Sequence, residues 1–390
     1  MSESLPIVGF DITPMLYGRG VSRYTSNIIR ALRKKNTSIR FFGSSFRANR
    51  ALKNLAREFG KEVGVTGKPS ILSFPPSFLA RMWYGVGRLH IESLMSKVDV
   101  FHAWEELVPP SYTTPIVATI HDLAPFKFPQ MAHPSTREKH AAAYKRLKEY
   151  GSHVIAVSEQ TKKDLIEMLE FDEKKIHVIY EALPTENIVK KEDMLPREDL
   201  EKLYGITKPY FLWVGTQEPR KNLKRAYEAW KQFSGEYDLV LIGASGTREI
   251  KPEAGVKILG YLTNAQVASF YKHAELLLFP SLYEGFGLPI LEAFQYDCPV
   301  VTTNNSGMSE SAGDAATFID PYSVQSIAEG IGKTLKMKNK ADRSKKMKAQ
   351  LAKFSWEKAA KDTLEVYRLA IRDGFPKSKR PVLSKVEGKG

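Results

Sequence analysis

Two glutamates, Glu284 and Glu292, bracket Gly285-Phe286-Gly287 in the stretch "FPSLYEGFGLPILEAF", eight positions apart. The stretch opens as an apolar, strand-like run, turns at its glycines and enters a helix-like run. Pro289 suits the first turn of that helix, where its missing N–H is not needed. Glu284 is thereby set on a loop above a strand end, and Glu292 one turn into the helix. The amides of Gly285, Phe286, Gly287 and Leu288 precede a helix N-terminus, whose free N–H groups and dipole favour phosphate. Glycines let a ligand approach such a backbone closely. Carboxylates are poor phosphate ligands but good acceptors for hydroxyls, so sugar hydroxyls on one side and ribose hydroxyls on the other would suit the pair. An N-terminal helix acid beside an unrelated surface glutamate gives the same spacing. A second stretch, "FLWVGTQEPRKNLKRAYEAW", puts Gly215 just after a strand and Arg220-Lys221-Asn222 just before a helix. Arg can grip a diphosphate with paired hydrogen bonds and Lys adds a point charge. Two ordinary surface cations are the plainer alternative.

These loops need strands and helices to hold them, and the chain supplies both. The runs "PIVGF", "RFFGS", "VDVFHA", "PIVATI" and "HVIAVS" read as buried strands, with helical patterns between them at 21–34, 48–59, 135–149 and 159–169. The polar, proline-bearing stretch 182–200 reads as a linker. Alternation then restarts with "YFLWVG", "YDLVLIG", "VKILGY", "ELLLFP", "CPVVTT" and "ATFID", separated by helical patterns at 223–233, 264–272, 288–296 and 323–335. Val/Ile/Leu-rich strands alternating with helices call for parallel sheets covered on both faces. The expected fold is therefore α/β, with two doubly wound, Rossmann-like domains facing across a cleft: an acceptor-side domain at 1–190 and a second at 191–354. Ligands bind such sheets beyond the carboxyl ends of the strands. A last amphipathic helix is expected at about 354–373, with a loose tail after it.

Composition narrows the class. The 390 residues are 43% hydrophobic and 26% charged, a globular balance that excludes wholesale disorder. The single cysteine, Cys298, excludes an intramolecular disulfide and fits a reducing compartment. The N-terminus lacks the basic start and apolar core of a signal peptide, and no run reaches the about 18 apolar residues of a membrane span. The expectation is a cytoplasmic protein. A formal charge of +14 favours an anionic partner, although solubility alone would account for it. The lysine-rich stretch 333–353 reads as a solvated helix face, without the interleaved aromatics of a single-strand binder.

"VGTQEPRKN" followed by "LYEGFGLPILEA" resembles the retaining nucleotide-sugar glycosyltransferases of family 4, which have the two-domain GT-B fold. "GRGVSRYTSNIIRAL", "TIHDLAPFKFP", "VIAVSEQTKKDL", "GYLTNAQVASFYKHAELLLFPS", "CPVVTTNNSGMSESAGDAATFIDP" and "FSWEKAA" are similar to further segments of that family, spread from residue 7 to about residue 370. The flavour of "HDLAPFKFP" and "SAGDAA" is nearest to bacterial O-antigen mannosyltransferases. The resemblance implies roles. Arg220 and Lys221 hold the donor diphosphate. Glu284 touches the transferred sugar, with the amides of Gly285, Phe286, Gly287 and Leu288 around it. Glu292 accepts from the ribose hydroxyls, Gly20 brings its loop to the phosphates, His121 sits near the sugar and Asp122 helps hold that loop. The donor implied is a nucleotide sugar, GDP-mannose preferred and a UDP-sugar the alternative. The acceptor is a saccharide or lipid-linked saccharide in cell-surface polysaccharide synthesis. The last helix crosses back to the first domain in this family. Departures at 178–183, 306–310 and "FQYDCP" bear on fine specificity. His102, His133, His140 and His177 read as structural or surface residues.

No Asp-x-Asp pair stands at a strand end, so no metal and no cofactor are expected. The segment 73–97 is aromatic and basic. Phe74, Phe78, Met82, Trp83 and Tyr84, with Arg81 and Arg88, would let it lie peripherally on the inner face of an anionic membrane, with a basic stripe of Arg47, Arg50, Lys53 and Arg57 beside it. Core packing explains the same aromatics. Three other functions compete. A dehydrogenase would need a fuller glycine fingerprint than Gly243 and Gly246 provide. A nucleotide-sugar epimerase shares the two-domain fold. A non-catalytic nucleic-acid binder would use the charge, with salt-dependent binding.

Overall fold

The computed structural model describes residues 5–375 apart from 19, 88, 244–249 and 251–252. The tail 376–390, Arg88 of the basic segment and Gly246 of the glycine fingerprint therefore lie outside the described residues.

Short apolar runs become strands because both sheet faces are covered, so the central strands are buried apart from Ile7 and Val214 at their ends. The first sheet has seven parallel strands: β1 (Ile7–Asp11), β2 (Ser38–Ser44), β3 (Ser70–Leu72), β4 (Val100–Ala103), β5 (Ile116–Ile120), β6 (Val154–Ala156) and β7 (Ile176–Val178). Their order is β3-β2-β1-β4-β5-β6-β7. The second has six: β8 (Tyr210–Val214), β9 (Asp238–Ile242), β10 (Val256–Leu259), β11 (Leu276–Phe279), β12 (Val300–Thr303) and β13 (Thr317–Ile319), in the order β10-β9-β8-β11-β12-β13. Every pairing is parallel. Two Rossmann-like α/β domains are the result. Strand order reverses direction between β1 and β4 in one sheet and between β8 and β11 in the other. Those two points are where an open parallel sheet leaves a crevice for a ligand.

The structure adds elements the sequence pattern hides. β3 and β7 are three residues each, too short to show a period. Only part of the stretch 182–200 is a connection. Val189, Met194 and Leu195 pack on the second domain's core, and Arg197–Tyr204 is a helix that buries Leu200 completely. One buried leucine on an otherwise polar helix gives too little amphipathic signal for sequence to register. The lysine-rich stretch belongs to helices Val324–Leu335 and Lys340–Leu351, the second of which buries Met347 and Gln350 and leaves most of its lysines outside.

The last helix, Trp356–Asp373, starts where the Ser355 side chain accepts from the Lys358 amide at 3.1 Å. Its Ala359, Ala360, Leu364, Val366, Tyr367 and Ala370 join the core of the first domain beside helix Gly20–Lys34. Tyr367 Oη lies 2.7 Å from His102 Nδ1, Thr119 Oγ1 lies 3.1 Å from His102 Nε2, and Tyr24 Oη lies 2.8 Å from that Thr119 oxygen. This buried chain ties β4 and β5 to the first and last helices. Burial pushes the His102 pKa down to about 3, so the ring is neutral and structural. No helix among the described residues is long and apolar enough to cross a membrane.

Candidate active site

The two sequence stretches converge because β8 and β11 are neighbours. The loop after β8 runs into the turn Pro219–Lys221, and Asn222 then adopts a left-handed conformation (φ 58°) before helix Leu223–Trp230. The Asn222 side chain holds that turn by donating to the carbonyls of Pro280 (3.0 Å) and Pro321 (2.7 Å). Across from it, the loop after β11 reaches helix Leu288–Gln295 through Gly287 at φ 106°. The Leu282 amide donates to the Arg220 carbonyl at 2.8 Å, which locks the two loops together.

Arg220, Lys221 and Glu284 form one cluster. Arg220 Nη1 is 2.9 Å from Glu284 Oε2, and Lys221 Nζ is 2.8 Å from Glu284 Oε1. Burial works against charge on Glu284, but Arg220 above all, and then Lys221, hold its pKa down at about 2. Burial also opposes the Arg220 charge, and Glu284 followed by Asp122 outweighs it, so the guanidinium is held more firmly charged than usual. Two cations share this carboxylate beside a helix N-terminus, with Glu218 Oε2 a further 3.8 Å from Arg220 Nη2.

Gly285 is the point where the domains meet. A Cβ there would lie 1.6 Å from the carbonyl oxygen of His121, so only glycine permits this approach. Gly307, opening helix Gly307–Ala312, is required in the same way, because its Cβ would meet the Gly285 carbonyl oxygen at 2.0 Å. Phe286 turns its ring into the domain interface against Tyr180 and Phe354 and contributes only its amide to the loop. Leu288 packs partly buried in the same cluster. Glu292 is 4% exposed. It accepts from Arg23 Nη1 at 3.1 Å, from Tyr271 Oη at 2.9 Å and from Asn187 Nδ2, and so joins the first helix and the connection to the second domain. Gly20 begins that first helix with open space beside it.

His121 is held between two carboxylates that sequence reasoning did not single out. Its Nδ1 is 3.1 Å from Glu105 Oε1, its backbone N–H donates to Glu105 Oε2 at 2.9 Å, and its Nε2 faces Glu181 Oε1 at 3.5 Å. The Tyr24 ring meets the imidazole edge-on at 4.9 Å. Burial opposes charge on His121, yet Glu105 first, then Glu181 and Asp122, raise its pKa to about 9. Burial raises the Glu181 pKa to about 7. The Asp122 side chain accepts from the Ala124 amide at 2.8 Å and so shapes the loop after β5.

Comparison with known proteins agrees with this architecture. Residues 18–187 match the model described as Glycosyltransferase Family 4, and residues 197–351 match Glycosyl transferases group 1. The chain is a glycosyltransferase. Its fold is GT-B: the chain of "Crystal structure of Anabaena Alr3699/HepE in complex with UDP-glucose" superposes with a TM-score of 0.66 over 93% of this chain and 100% of that one, at 16% identity. Among curated proteins, the O-antigen chain mannosyltransferase B of Escherichia coli is 29% identical over 276 residues, 65% of this chain and 70% of the other. The serotype-specific mannosyltransferase WbdA of Escherichia coli is 27% identical over 64% of this chain, which spans 33% of WbdA's length.

The glycosyltransferase also corrects the docking expectation. Trp83 is fully buried in the first domain's core, and the Tyr84 hydroxyl is committed to the Glu106 carbonyl and the Val108 amide. Neither reaches a lipid surface, because both belong to the packing under β2 and the loop after β4. Phe74 and Phe78 are each 41% exposed with their rings 5.1 Å apart, and Phe46, which sequence reasoning passed over, is 65% exposed. Ser44 Oγ donates to the Phe74 carbonyl at 2.6 Å and the Ser45 amide to the Leu72 carbonyl at 3.2 Å, so these phenylalanines share one corner of the domain. Of the other residues that sequence reasoning passed over, Glu105 carried a usable signal: an acid directly after a strand end. Arg23, Asn187 and Glu181 carried none.

Proposed function

We propose that this glycosyltransferase moves a hexose, mannose before others, from a nucleotide sugar to a saccharide or lipid-linked saccharide with retention of anomeric configuration and without a divalent metal. The observation that carries the reading is the cluster of Arg220, Lys221 and Glu284 beside the N-terminus of helix Leu288–Gln295. A donor diphosphate would take Arg220 and Lys221 from Glu284, freeing that carboxylate for hydroxyls of the transferred sugar. Ribose hydroxyls would take places at Glu292 now filled by Arg23 and Asn187. As the bond between the anomeric carbon and the phosphate oxygen breaks, the electron pair leaves with the diphosphate. Fixed cations and helix amides aimed at that growing charge lower the barrier. The acceptor hydroxyl attacks from the same face and passes its proton to the departing phosphate. His121, held by Glu105, lies on the opposite wall of the cleft, where the sugar would be. GDP-mannose is the preferred donor, in line with the mannosyltransferase relatives; a UDP-sugar remains the competing choice, in line with the UDP-glucose of HepE.

The test is a thermal-shift screen of nucleotides and nucleotide sugars, since a ligand that binds only the folded state raises the melting temperature. A transfer assay follows, with the product's anomeric configuration read by NMR. Stabilisation by GDP and GDP-mannose, and a retained product in the presence of chelator, are expected. No stabilisation by any nucleotide would overturn the reading. Conversion of the donor without an acceptor would mark an epimerase instead, and salt-dependent binding to arbitrary oligonucleotides a nucleic-acid binder. For a lipid-linked acceptor, Phe46, Phe74 and Phe78 would enter the interface while Arg47, Arg50 and Arg81 meet anionic headgroups on the cytoplasmic face. Sedimentation with anionic liposomes, fading with salt, is expected. Equal sedimentation with neutral liposomes would rule out electrostatic docking.

A further inference from the structure

The switch point of the second sheet holds the donor cluster. The matching switch point of the first sheet, between β1 and β4, holds residues that no step of the reaction above uses. Asp11 ends β1, and the turn Thr13–Tyr17 follows it. Trp104 and Glu105 follow β4, and β4 pairs directly with β1 through Phe10 and His102. The rings of Tyr17 and Trp104 lie 5.8 Å apart at 39°, and Tyr17 is 52% exposed.

Both rings stand on fixed backbone. The Thr13 amide donates to Asp11 Oδ1 at 2.8 Å, the Met15 amide to the Ile12 carbonyl at 3.0 Å, and the Ser44 amide to Thr13 Oγ1 at 3.0 Å. On the other side, the Leu107 amide closes a turn on the Trp104 carbonyl at 2.9 Å. Tyr84 bonds the Glu106 carbonyl and the Val108 amide, and Arg146 bonds the Val108 carbonyl at 2.8 Å. Burial, then the charges of Glu106 and Asp11, raise the pKa of the Tyr17 hydroxyl. Asp11 is 2% exposed, and its second oxygen, Oδ2, is buried with no hydrogen-bond partner among the described residues. A buried carboxyl oxygen left unpaired costs free energy.

We propose that Tyr17 and Trp104 form the platform on which the acceptor's sugar ring lies, with the partly exposed Glu106, 3.6 Å from His140 Nε2, as hydrogen-bond partner for its hydroxyls and the buried Asp11 holding the turn that carries Tyr17. The proposal rests on the transferase reading. A pyranose offers an apolar C–H face and a rim of hydroxyls. An exposed Tyr17 beside a partly buried Trp104, with the Glu106 carboxylate near them, matches both, as it would not match a phosphate. Burial, opposed by the hydrogen bonds from Thr13, pushes the Asp11 carboxyl up to about 7. Near neutral pH it is therefore divided between its two forms.

The experiment measures nucleotide release by the full chain from its donor, alone and with the methyl glycosides of mannose, glucose, galactose and N-acetylglucosamine. Tyr17→Ala, Trp104→Ala, Trp104→Phe and Asp11→Asn are compared with the parent. The expected result is an acceptor KM raised about tenfold by each alanine, the factor given by about 1.4 kcal/mol of lost stacking. Trp104→Phe should recover most of that loss. Donor KM and acceptor-independent donor hydrolysis should stay at the parent's level in all four, which also shows that each variant folds. Asp11→Asn should raise acceptor KM without changing the donor's. An unchanged acceptor KM in both alanine variants overturns the platform. So does a parent that hydrolyses its donor but is accelerated by none of the glycosides. A parent that neither binds nor hydrolyses any nucleotide sugar overturns the transferase reading itself, and the platform with it.

Discussion

The two switch points carry different chemistry. At β8/β11 the charges are paired: Arg220 and Lys221 share Glu284 at 2.9 and 2.8 Å, and every member comes from one of two short loops. At β1/β4 and the adjoining end of β5 the groups come from dispersed loops. Glu105 follows β4, His121 follows β5, Glu181 follows β7, and Tyr17 and Trp104 stand on separate turns. Here a buried acid with a raised pKa, Glu181, faces a histidine held cationic, and a second such acid, Asp11, ends β1. On the function proposed above, the β8/β11 side is the donor half, suited to one fixed anion, and the β1/β4 side the acceptor half, suited to hydroxyls whose partners vary with the sugar. Same-face transfer from a diphosphate would use fixed positive charge on the one side and adjustable protonation on the other.

The sharpest way to break this comparison is to remove the donor half's charge. Arg220→Ala and Lys221→Ala should each lower kcat/KM by about 10²- to 10³-fold. Each should also weaken nucleoside diphosphate binding in calorimetry, and Arg220→Ala should lower the melting temperature of the free protein as well, because it takes the main counter-charge from the buried Glu284. Unchanged diphosphate affinity in both would remove the assignment.

Glu284 then separates its two roles. Because it pairs with both cations in the free protein, Glu284→Ala removes a competitor for the diphosphate. Turnover with the sugar donor should fall about 10²-fold, while nucleoside diphosphate affinity is kept or improved. Glu292→Ala should do the opposite, lowering affinity for the whole nucleotide about tenfold. It should also cost about 1–3 kcal/mol of stability, because the buried Tyr271 hydroxyl and Asn187 amide lose their acceptor. Equal loss of nucleoside diphosphate binding in the two variants would show that the acids do not divide the work.

The same contrast explains what could be read from sequence. Arg220, Lys221, Glu284 and Glu292 were legible because each sits at a fixed offset from a strand end or helix start, so one stretch of chain holds both residue and scaffold. The six strands of the second sheet and five of the seven in the first were legible because they are continuous apolar runs; β3 and β7 were too short. The partners of His121 were not, since Glu105 and Glu181 are brought together only when β4, β5 and β7 line up in the sheet. Arg23 and Asn187 meet Glu292 across 269 and 105 residues of chain, a distance over which local pattern says nothing. Trp83 misled for a related reason: an aromatic in a basic segment looks the same whether its helix turns that side inward or outward.

The smallest effect expected is on pH dependence, and it lives in the acceptor half. His121 faces Glu105, Glu181 and Asp122, with the Tyr24 ring at its edge. Its pKa in the folded protein, about 9, stands above the ordinary histidine value of 6.5. Folding therefore favours the protonated ring. The stability this contributes is fully present below pH 6.5 and is lost as pH rises through about 9. Glu105→Gln keeps the shape and removes the main counter-charge, leaving Glu181 and Asp122 alone against burial, so the His121 pKa falls. The alkaline fall in turnover and in melting temperature should then move from near pH 9 to lower pH. At neutral pH the variant should be less stable by on the order of 1–3 kcal/mol. Glu284, held near 2 by its cations, contributes no change over this range, so the donor's KM should be flat with pH in both proteins. Melting curves and rate profiles taken from about pH 6 to about pH 10 would decide it. Identical alkaline limbs in parent and Glu105→Gln would show that the imidazolium plays no part, and the two halves of the site would then differ in geometry alone.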